Sequence, residues 1–224
     1  MPRETQPSAR FVGLLFLAVL FLAGVGLFSA SYMQSRSDAA LRDAIHSAEL
    51  LDEARSAQAN FKIQVQHWKN LLLRGHDPED FESYRTRFAE QEAVVQDNLS
   101  RMLDFPELDT AQKNEIAAIR DEHRRIGEIY REAMGRFTVG DLASSFDIDR
   151  SVRGIDQDLT QRIDTSAETI LTTERARVED ISADLDALFQ KTRLITSLTT
   201  GLVLLLVILL VWRLRARNRP SPRR

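Results

Sequence analysis

Six residues in two short stretches have side chains that could bind a small anion. The stretches are "HWKNLLLRG" (67–75) and "DRSVRGID" (149–156), and the residues are Trp68, Lys69, Asn70, Arg74, Arg150 and Arg153. Arginine presents paired donors to a planar carboxylate, and lysine adds a compact positive charge. The two stretches are about eighty residues apart in the chain. An anion site therefore requires a fold that brings them together.

A second interpretation of these cations is internal neutralisation. Four carboxylates lie nearby in the sequence: Asp77, Glu79, Asp149 and Asp156. Lysine and arginine also interact favourably with the C-terminal dipole of a helix, which by itself accounts for Lys69 and Arg74. Trp68 would then be a core residue. The sequence leaves both interpretations open.

Residue types suited to catalysis or metal binding are sparse. The chain has no Cys, no Gly-rich phosphate loop and no obvious nucleophile–base pair. Its four histidines have no paired metal-ligand spacing: His46, His67, His76 and His123. We therefore predict that the protein is not an enzyme and holds neither a cofactor nor a metal. His123 is on an apolar stripe and is interpreted as a hydrogen-bonded core residue; Gln58, Gln91 and Asn98 suggest similar polar layers, which fix helix register.

Helices must position the two stretches, because helical periodicity fills the segment between them. Gly75 marks a helix end, and Asp77 followed by Pro78 marks the next helix start. Further turns are indicated at Pro106 to Asp109 and from Gly140-Asp141. The predicted buried stripes are Ala44, Ala48, Leu51, Ala54, Gln58, Phe61, Val65, Trp68 and Leu72; Phe81, Tyr84, Phe88, Gln91, Val95, Asn98 and Met102; Ile116, Ile119, His123, Ile126, Tyr130, Ala133 and Phe137; and Val152, Ile155, Leu159, Ile163, Ser166, Ile170 and Thr173. The pattern predicts an all-α fold, an antiparallel up-down-up-down four-helix bundle flanked by two transmembrane helices.

Two uncharged apolar stretches are long enough to cross a membrane. They cover residues 11–33 and 194–212. The first could instead be a signal peptide cleaved near Ser29-Ala30-Ser31, although its apolar part is longer than usual. Six arginines follow Trp212 and two precede the first span, so both ends are predicted to face the cytoplasm.

These spans define the predicted domains and the location of each. They are a cytoplasmic N-terminus (1–10), a first span (11–33), a periplasmic domain (34–193), a second span (194–212) and a basic cytoplasmic tail (213–224), in a bacterial inner membrane. The tail is a topology anchor that could also touch anionic lipid. Residues 34–193 contain 22 Lys or Arg and 32 Asp or Glu, a net charge of −10. That charge argues against nucleic acid as a partner.

Helix lengths predict where the last helix begins. If the chain leaves the membrane and returns to it, a rise of about 1.5 Å per residue puts the start near residue 149. Asp147 or Asp149 would be its N-cap, and residues 139–148 would form a loop or short turn. Gly154 would lie within this helix, against Trp68, at the membrane-distal end.

Three separated motifs resemble the periplasmic sensor region of bacterial methyl-accepting chemotaxis proteins. They are "AQANFKIQVQHWKNLLLRGHDPEDFESYRTRF", "HRRIGEIYREAM" and "DIDRSVRGIDQDL", in that order within roughly residues 41–165. The resemblance implies a four-helix bundle that works as a homodimer and detects something in the periplasm. Only 12 residues follow Trp212, fewer than the HAMP linker and methylation helices of that family require. The expectation is therefore that signalling needs a partner.

Two functions follow as hypotheses, and a third possibility is a decayed receptor fragment with no selected role. In the first, a membrane-anchored periplasmic sensory module relays the binding of a ligand or partner, by helix displacement, to a full-length receptor or kinase. In the second, a non-ligand-binding accessory or scaffold protein assembles with full-length receptors. Small residues at helical spacing, Gly26 with Ala30 and Ser197 with Gly201, mildly support helix pairing in the membrane.

Overall fold

The computed structural model describes residues 9–217, and this part of the chain is almost entirely helical. Its helices are α1 (Ala9–Arg74), α2 (Pro78–Met102), α3 (Thr110–Gly135), α4 (Leu142–Val152) and α5 (Gln157–Arg217). The described residues form no strand, which confirms the predicted all-α class. Most of the N-terminal segment 1–10 and the end of the arginine-rich tail lie outside the described residues.

The chain divides into two compact units. Residues 43–178 form the central unit, and residues 1–42 with 179–224 form the terminal unit. Both apolar stretches belong to the terminal unit, and they make α1 and α5 apolar enough to cross a membrane. Large side chains along them are exposed, such as Phe16 on α1 and Leu198 on α5. A surface of this kind suits lipid contact.

Aspartate caps begin three of the helices. Asp77 accepts hydrogen bonds from the backbone N–H groups of Glu79 (2.9 Å) and Asp80 (3.2 Å), directly before Pro78. Asp109 forms a capping box with Gln112, in which each side chain bonds the other residue's backbone N–H. Asp141 caps α4 through the N–H of Ala143. Each cap satisfies donors that the first helical turn leaves free.

The core of the central unit is a set of apolar stripes on facing helices. The stripe predicted on α3 is buried at every position. On α1 the buried residues are Ser47, Leu50, Ala54, Ala57, Phe61, Gln64, Trp68 and Leu71, and they share only three positions with the predicted stripe. The buried face of α1 is thus rotated slightly from the predicted face. It includes two polar residues, Ser47 and Gln64, that the predicted stripe lacks.

Hydrogen bonds between helices show the direction in which they pair. Ser47 and Gln58 of α1 bond Glu174 and Asp164 of α5, so residue numbers rise on one helix as they fall on the other. The same opposite order relates α2 to α3, where Gln96 contacts His123 and Glu92 contacts Arg131. These neighbours in the central unit are therefore antiparallel.

The segment around Gly154 differs from the sequence prediction. Residues 142–152 form the separate helix α4, so 139–148 is not a loop, and Asp147 and Asp149 lie inside α4 rather than at an N-cap. A turn follows, in which the Ile155 N–H bonds the Val152 carbonyl at 3.3 Å. Arg153 has φ −58° and ψ 123°, and Gly154 has φ +81°. These are the central angles of a type II turn, which requires glycine at its second central position.

Gly154 is therefore a turn residue and not a packing notch for Trp68. The nearest atoms to a Cβ built on it belong to Gln157, at 3.5 Å and beyond. The predicted helix does not run through Gly154, because α4 ends at Val152 and α5 begins at Gln157. The positive φ, which side chains rarely adopt, is what selects glycine here.

Replacing Gly154 with Ala should destabilise the protein by about 1 kcal/mol, because a Cβ is strained at this φ. Thermal unfolding of the full-length chain in non-ionic detergent, followed by circular dichroism, measures the shift. Gly135→Ala is the matched control, since Gly135 ends α3 with open space beside it. That variant should be neutral or slightly stabilising. Equal effects of the two substitutions would contradict the turn assignment.

Candidate functional site

A cleft of about 630 Å³ opens between α1, α4 and the start of α5. We name it the α1–α5 cleft. Trp68 and Lys69 line it from α1, Tyr130 from α3, and Arg153 and Gly154 from the turn after α4. The fold thus brings the two stretches that carry the predicted anion ligands to one cleft. Trp68 and Gly154 share it, although they do not pack as predicted.

Two aromatic side chains form the floor of the α1–α5 cleft. Trp68 is only 4% exposed, and its ring lies 4.5 Å from that of Tyr130. Phe88 packs edge-on against the other side of Tyr130 at 5.6 Å. Burial, and then the carboxylates of Asp156 and Asp149, raise the pKa of Tyr130. Its hydroxyl therefore remains a neutral hydrogen-bonding group across the physiological pH range.

The cations in this cleft differ in how far they are already neutralised. The Nε of Arg153 donates to Asp149 at 3.1 Å, and Lys62 pairs with Asp164 at 3.0 Å. Lys69 is exposed, and within residues 9–217 it has no carboxylate partner at ion-pair distance. Internal neutralisation thus describes Arg153 and Lys62. Of these three cations, Lys69 is the one without an ion-pair partner in the described part of the chain.

The other three predicted ligands lie away from the cleft. Asn70 accepts a hydrogen bond from Gln66 on the surface of α1. Arg74 donates to the hydroxyl of Tyr84 on α2 at 2.9 Å. Arg150 is exposed and sits 3.8 Å from Asp147 on its own helix. The structure does not bring these three side chains to Trp68 and Lys69.

Sequence reasoning missed several polar residues that line the cleft, among them Tyr130, Asp156 and Gln157. Tyr130 belongs to the motif "HRRIGEIYREAM", where its spacing predicts a core residue. Asp156 belongs to "DIDRSVRGIDQDL", where its charge predicts neutralisation of a nearby cation. Within residues 9–217 there is no group of three or more His, Cys, Asp or Glu side chains that could hold a metal ion. The cleft can therefore bind through hydrogen bonds, charge and aromatic contact.

A polar layer centred on His123 lies in the core next to Phe61. The ring nitrogen Nε2 is 2.7 Å from the side-chain oxygen Oε1 of Gln64. The other ring nitrogen, Nδ1, is 2.6 Å from the side-chain nitrogen Nε2 of Gln96. A neutral imidazole that donates from Nε2 and accepts at Nδ1 satisfies both contacts. Burial, and then the charge of Arg131, lower the pKa of His123 to about 4. His123 is thus a core residue, bonded to α1 and α2.

Comparison with known proteins gives one informative relative. The chain is 34% identical over 169 residues to the methyl-accepting chemotaxis protein CtpH of Pseudomonas aeruginosa. The match covers 75% of this chain and 28% of the relative, so the chain spans little more than a quarter of that protein's length. No protein-family model matches the chain, and no solved structure matches it. The similarity is to a signalling receptor rather than to an enzyme, and with the two apolar helices it supports a receptor-like membrane module.

Stability should depend on pH through His123. Unfolded histidine has a pKa near 6.5, whereas folded His123 titrates near 4, so between these values the unfolded chain binds more protons. Stability is therefore complete above pH 6.5 and falls by about 3 kcal/mol as the pH is lowered to 4. His123→Gln, which cannot titrate, should remove that slope. Urea midpoints of the full-length chain at several pH values between 4 and 7.5 measure it.

Phe61→Leu is the control for this pH series. It weakens the same part of the core, since the Phe61 ring lies 5.5 Å from His123, but it leaves the imidazole in position. Its midpoints should be lower at every pH with the wild-type slope. A slope that survives in His123→Gln would assign the pH dependence to another group, such as His67, whose pKa burial also lowers.

Proposed function

We propose that the chain is a membrane-anchored sensory module related to the input region of chemotaxis receptors. The observation that carries this proposal is the 34% identity to a methyl-accepting chemotaxis protein across most of the chain. The two helices apolar enough to span a membrane support it. The antiparallel contacts of the central unit support an up-down-up-down four-helix bundle as the sensory domain.

In this proposal both termini are cytoplasmic and residues 34–193 are periplasmic. The arginines that follow residue 212 support this orientation through the positive-inside rule.

The proposed ligand is a small organic anion held in the α1–α5 cleft. Lys69 supplies a cation without an ion-pair partner among the described residues, and Trp68 with Tyr130 supplies an aromatic floor. Arg153 contributes donors after partial release from Asp149. A carboxylate with a planar or short apolar body fits these features, because guanidinium and ammonium groups bind carboxylates by charge-assisted hydrogen bonds.

The proposed relay is a small displacement of α5. Gln157 and Thr160, in the first turn of α5, line the α1–α5 cleft, and the same helix contains the second apolar stretch. Helix shifts of about 1–2 Å are a known form of signal transfer. The recipient of the shift would be a second copy of this chain or a full-length receptor coupled to a kinase.

A screen of small carboxylates against the full-length chain should find at least one that stabilises it. At a hundredfold excess over the dissociation constant the gain is about 2.7 kcal/mol. Lys69→Gln should weaken binding of that compound about tenfold, because one charge-assisted hydrogen bond is lost. Thermal shift and isothermal titration calorimetry in detergent measure both effects.

The control for this screen is Arg150→Gln, which removes a cation from the same end of the unit but outside the cleft. It should bind like wild type. Hydrogen exchange with the bound compound should also change in α5 beyond Thr160. A screen without a stabilising carboxylate, or an equal loss in Lys69→Gln and Arg150→Gln, would remove the α1–α5 cleft as the ligand site.

The proposed topology predicts which residues are accessible from outside the cell. Because the chain lacks Cys, single cysteines can be introduced on a clean background. A membrane-impermeant maleimide applied to intact spheroplasts should label Ala59→Cys, at an exposed position of α1, and spare Arg223→Cys. Permeabilised cells, in which both should react, are the control. Labelling of Arg223→Cys in sealed spheroplasts would contradict a cytoplasmic C-terminus.

A further inference from the structure

A second cleft, of about 690 Å³, lies between α2 and α3, and we name it the α2–α3 cleft. Its volume is in the range of small-molecule sites. Buried apolar side chains from both helices form its interior: Phe81, Phe88, Met134 and Phe137. Arg85 and Arg131 are at its polar side. None of the residues proposed above as ligands lines it.

Arg131 is held in a fixed position by a buried carboxylate. Both carboxylate oxygens of Glu92 contact Nη1 of Arg131, and Glu92 is only 8% exposed. Space for this carboxylate exists because residue 127 is glycine; a Cβ there would overlap Glu92. Glu92 anchors the guanidinium at Nη1, because a buried carboxylate without its partner would be an uncompensated charge.

The held guanidinium has unused donors. Glu92 occupies Nη1 alone, and within the described part of the chain Nε and Nη2 of Arg131 have no hydrogen-bond partner. Arginine has five N–H donors, and a carboxylate can take two of them in parallel. Arg131 remains about half exposed where it lines the cleft. It therefore presents a pre-oriented carboxylate-binding edge.

Two packed aromatic rings form the apolar end of the cleft. The Phe81 and Phe137 rings stack at 5.1 Å, and both side chains are almost fully buried. The ligand of such a cleft needs an apolar, preferably aromatic, body that reaches these rings. Of the remaining charges, Arg85 is paired with Glu82 on its own helix. Glu90 of α2 also lines the cleft, and its negative charge opposes a dianion about twice as strongly as a monoanion.

We propose that the α2–α3 cleft is a second ligand site, which binds a monocarboxylate with an aromatic or compact apolar body. Arg131 binds the carboxylate, Glu92 in the space beside Gly127 positions Arg131, and Phe81 with Phe137 contacts the apolar body. The residues that line it are distinct from those that line the α1–α5 cleft.

Calorimetric titration of the full-length chain in non-ionic detergent tests this site with three probes. Phenylacetate has the expected charge and ring, phenethylamine has a similar size with the opposite charge, and acetate lacks the ring. We expect saturable binding of phenylacetate, with phenethylamine and acetate at least tenfold weaker. Tighter binding of phenethylamine, or no saturable binding of phenylacetate up to 10 mM, would overturn the proposal.

Two variants locate the probe in the α2–α3 cleft. Arg131→Gln removes the carboxylate anchor and should weaken phenylacetate at least tenfold, whereas Arg125→Gln, on the same helix and outside both clefts, should not. Arg131→Gln leaves Glu92 buried without its partner and could lower stability, so Gly135→Leu provides a second test. Gly135 lines the cleft beside open space, and leucine there should block the probe without lowering the melting temperature.

The same titrations separate this proposal from the proposed function. Lys69→Gln should bind phenylacetate like wild type, because Lys69 lines only the α1–α5 cleft. A loss of phenylacetate binding in Lys69→Gln with retention in Gly135→Leu would assign the probe to the α1–α5 cleft and refute a second site.

Discussion

The hydrogen-bonded layer at His123 constrains the register of α1, α2 and α3, because it joins these three helices at one level. Gln64 of α1 and Gln96 of α2 meet opposite nitrogens of the same imidazole on α3. A hydrogen bond tolerates a few tenths of an ångström, whereas sliding a helix by one residue moves it about 1.5 Å. Any change of register would therefore leave at least two buried polar groups unpaired, at about 1–3 kcal/mol each.

Other polar contacts fix the helices at further levels. Asn98 of α2 bonds both Glu53 and Asn60 of α1, and Gln58 bonds Asp164 of α5. Glu174 is buried on α5 and accepts from Ser47 at 2.6 Å. Purely apolar stripes would stabilise several registers almost equally, because leucine and isoleucine contacts have little direction. The polar contacts select one of them, and with it the walls of both clefts.

Local chemistry made part of this structure predictable. Asp77 and Asp109 are N-caps whose partners lie within three residues, so these helix starts are predictable from local sequence. The α3 stripe repeats at helical spacing and is predictable for the same reason. The turn at Gly154 also had a local signal, because a type II turn requires glycine at its second central position. The predicted helix ran through Gly154, because a chain that returns to the membrane in one straight helix leaves no place for the separate helix α4.

The candidate site was less predictable because it depends on direction around α1. Successive residues are about 100° apart, so Lys69 and Arg74 point roughly 140° away from each other. That angle excludes a single pocket containing both, and the structure accordingly pairs Arg74 with Tyr84 on α2. Glu92 could not be found from sequence at all. Carboxylates are rarely buried, and this one depends on a glycine and an arginine of another helix.

Both clefts share α3 as a wall, and adjacent residues of that helix serve them. Tyr130 lines the α1–α5 cleft, and Arg131 lines the α2–α3 cleft. Because close-packed cores deform little, a ligand that shifts α3 at Tyr130 would carry Arg131 with it. Thermodynamic linkage makes such an effect reciprocal, so each ligand would alter the affinity of the other by the same factor. The His123 layer, two turns from Tyr130 on the same helix, limits how far that shift can extend along α3.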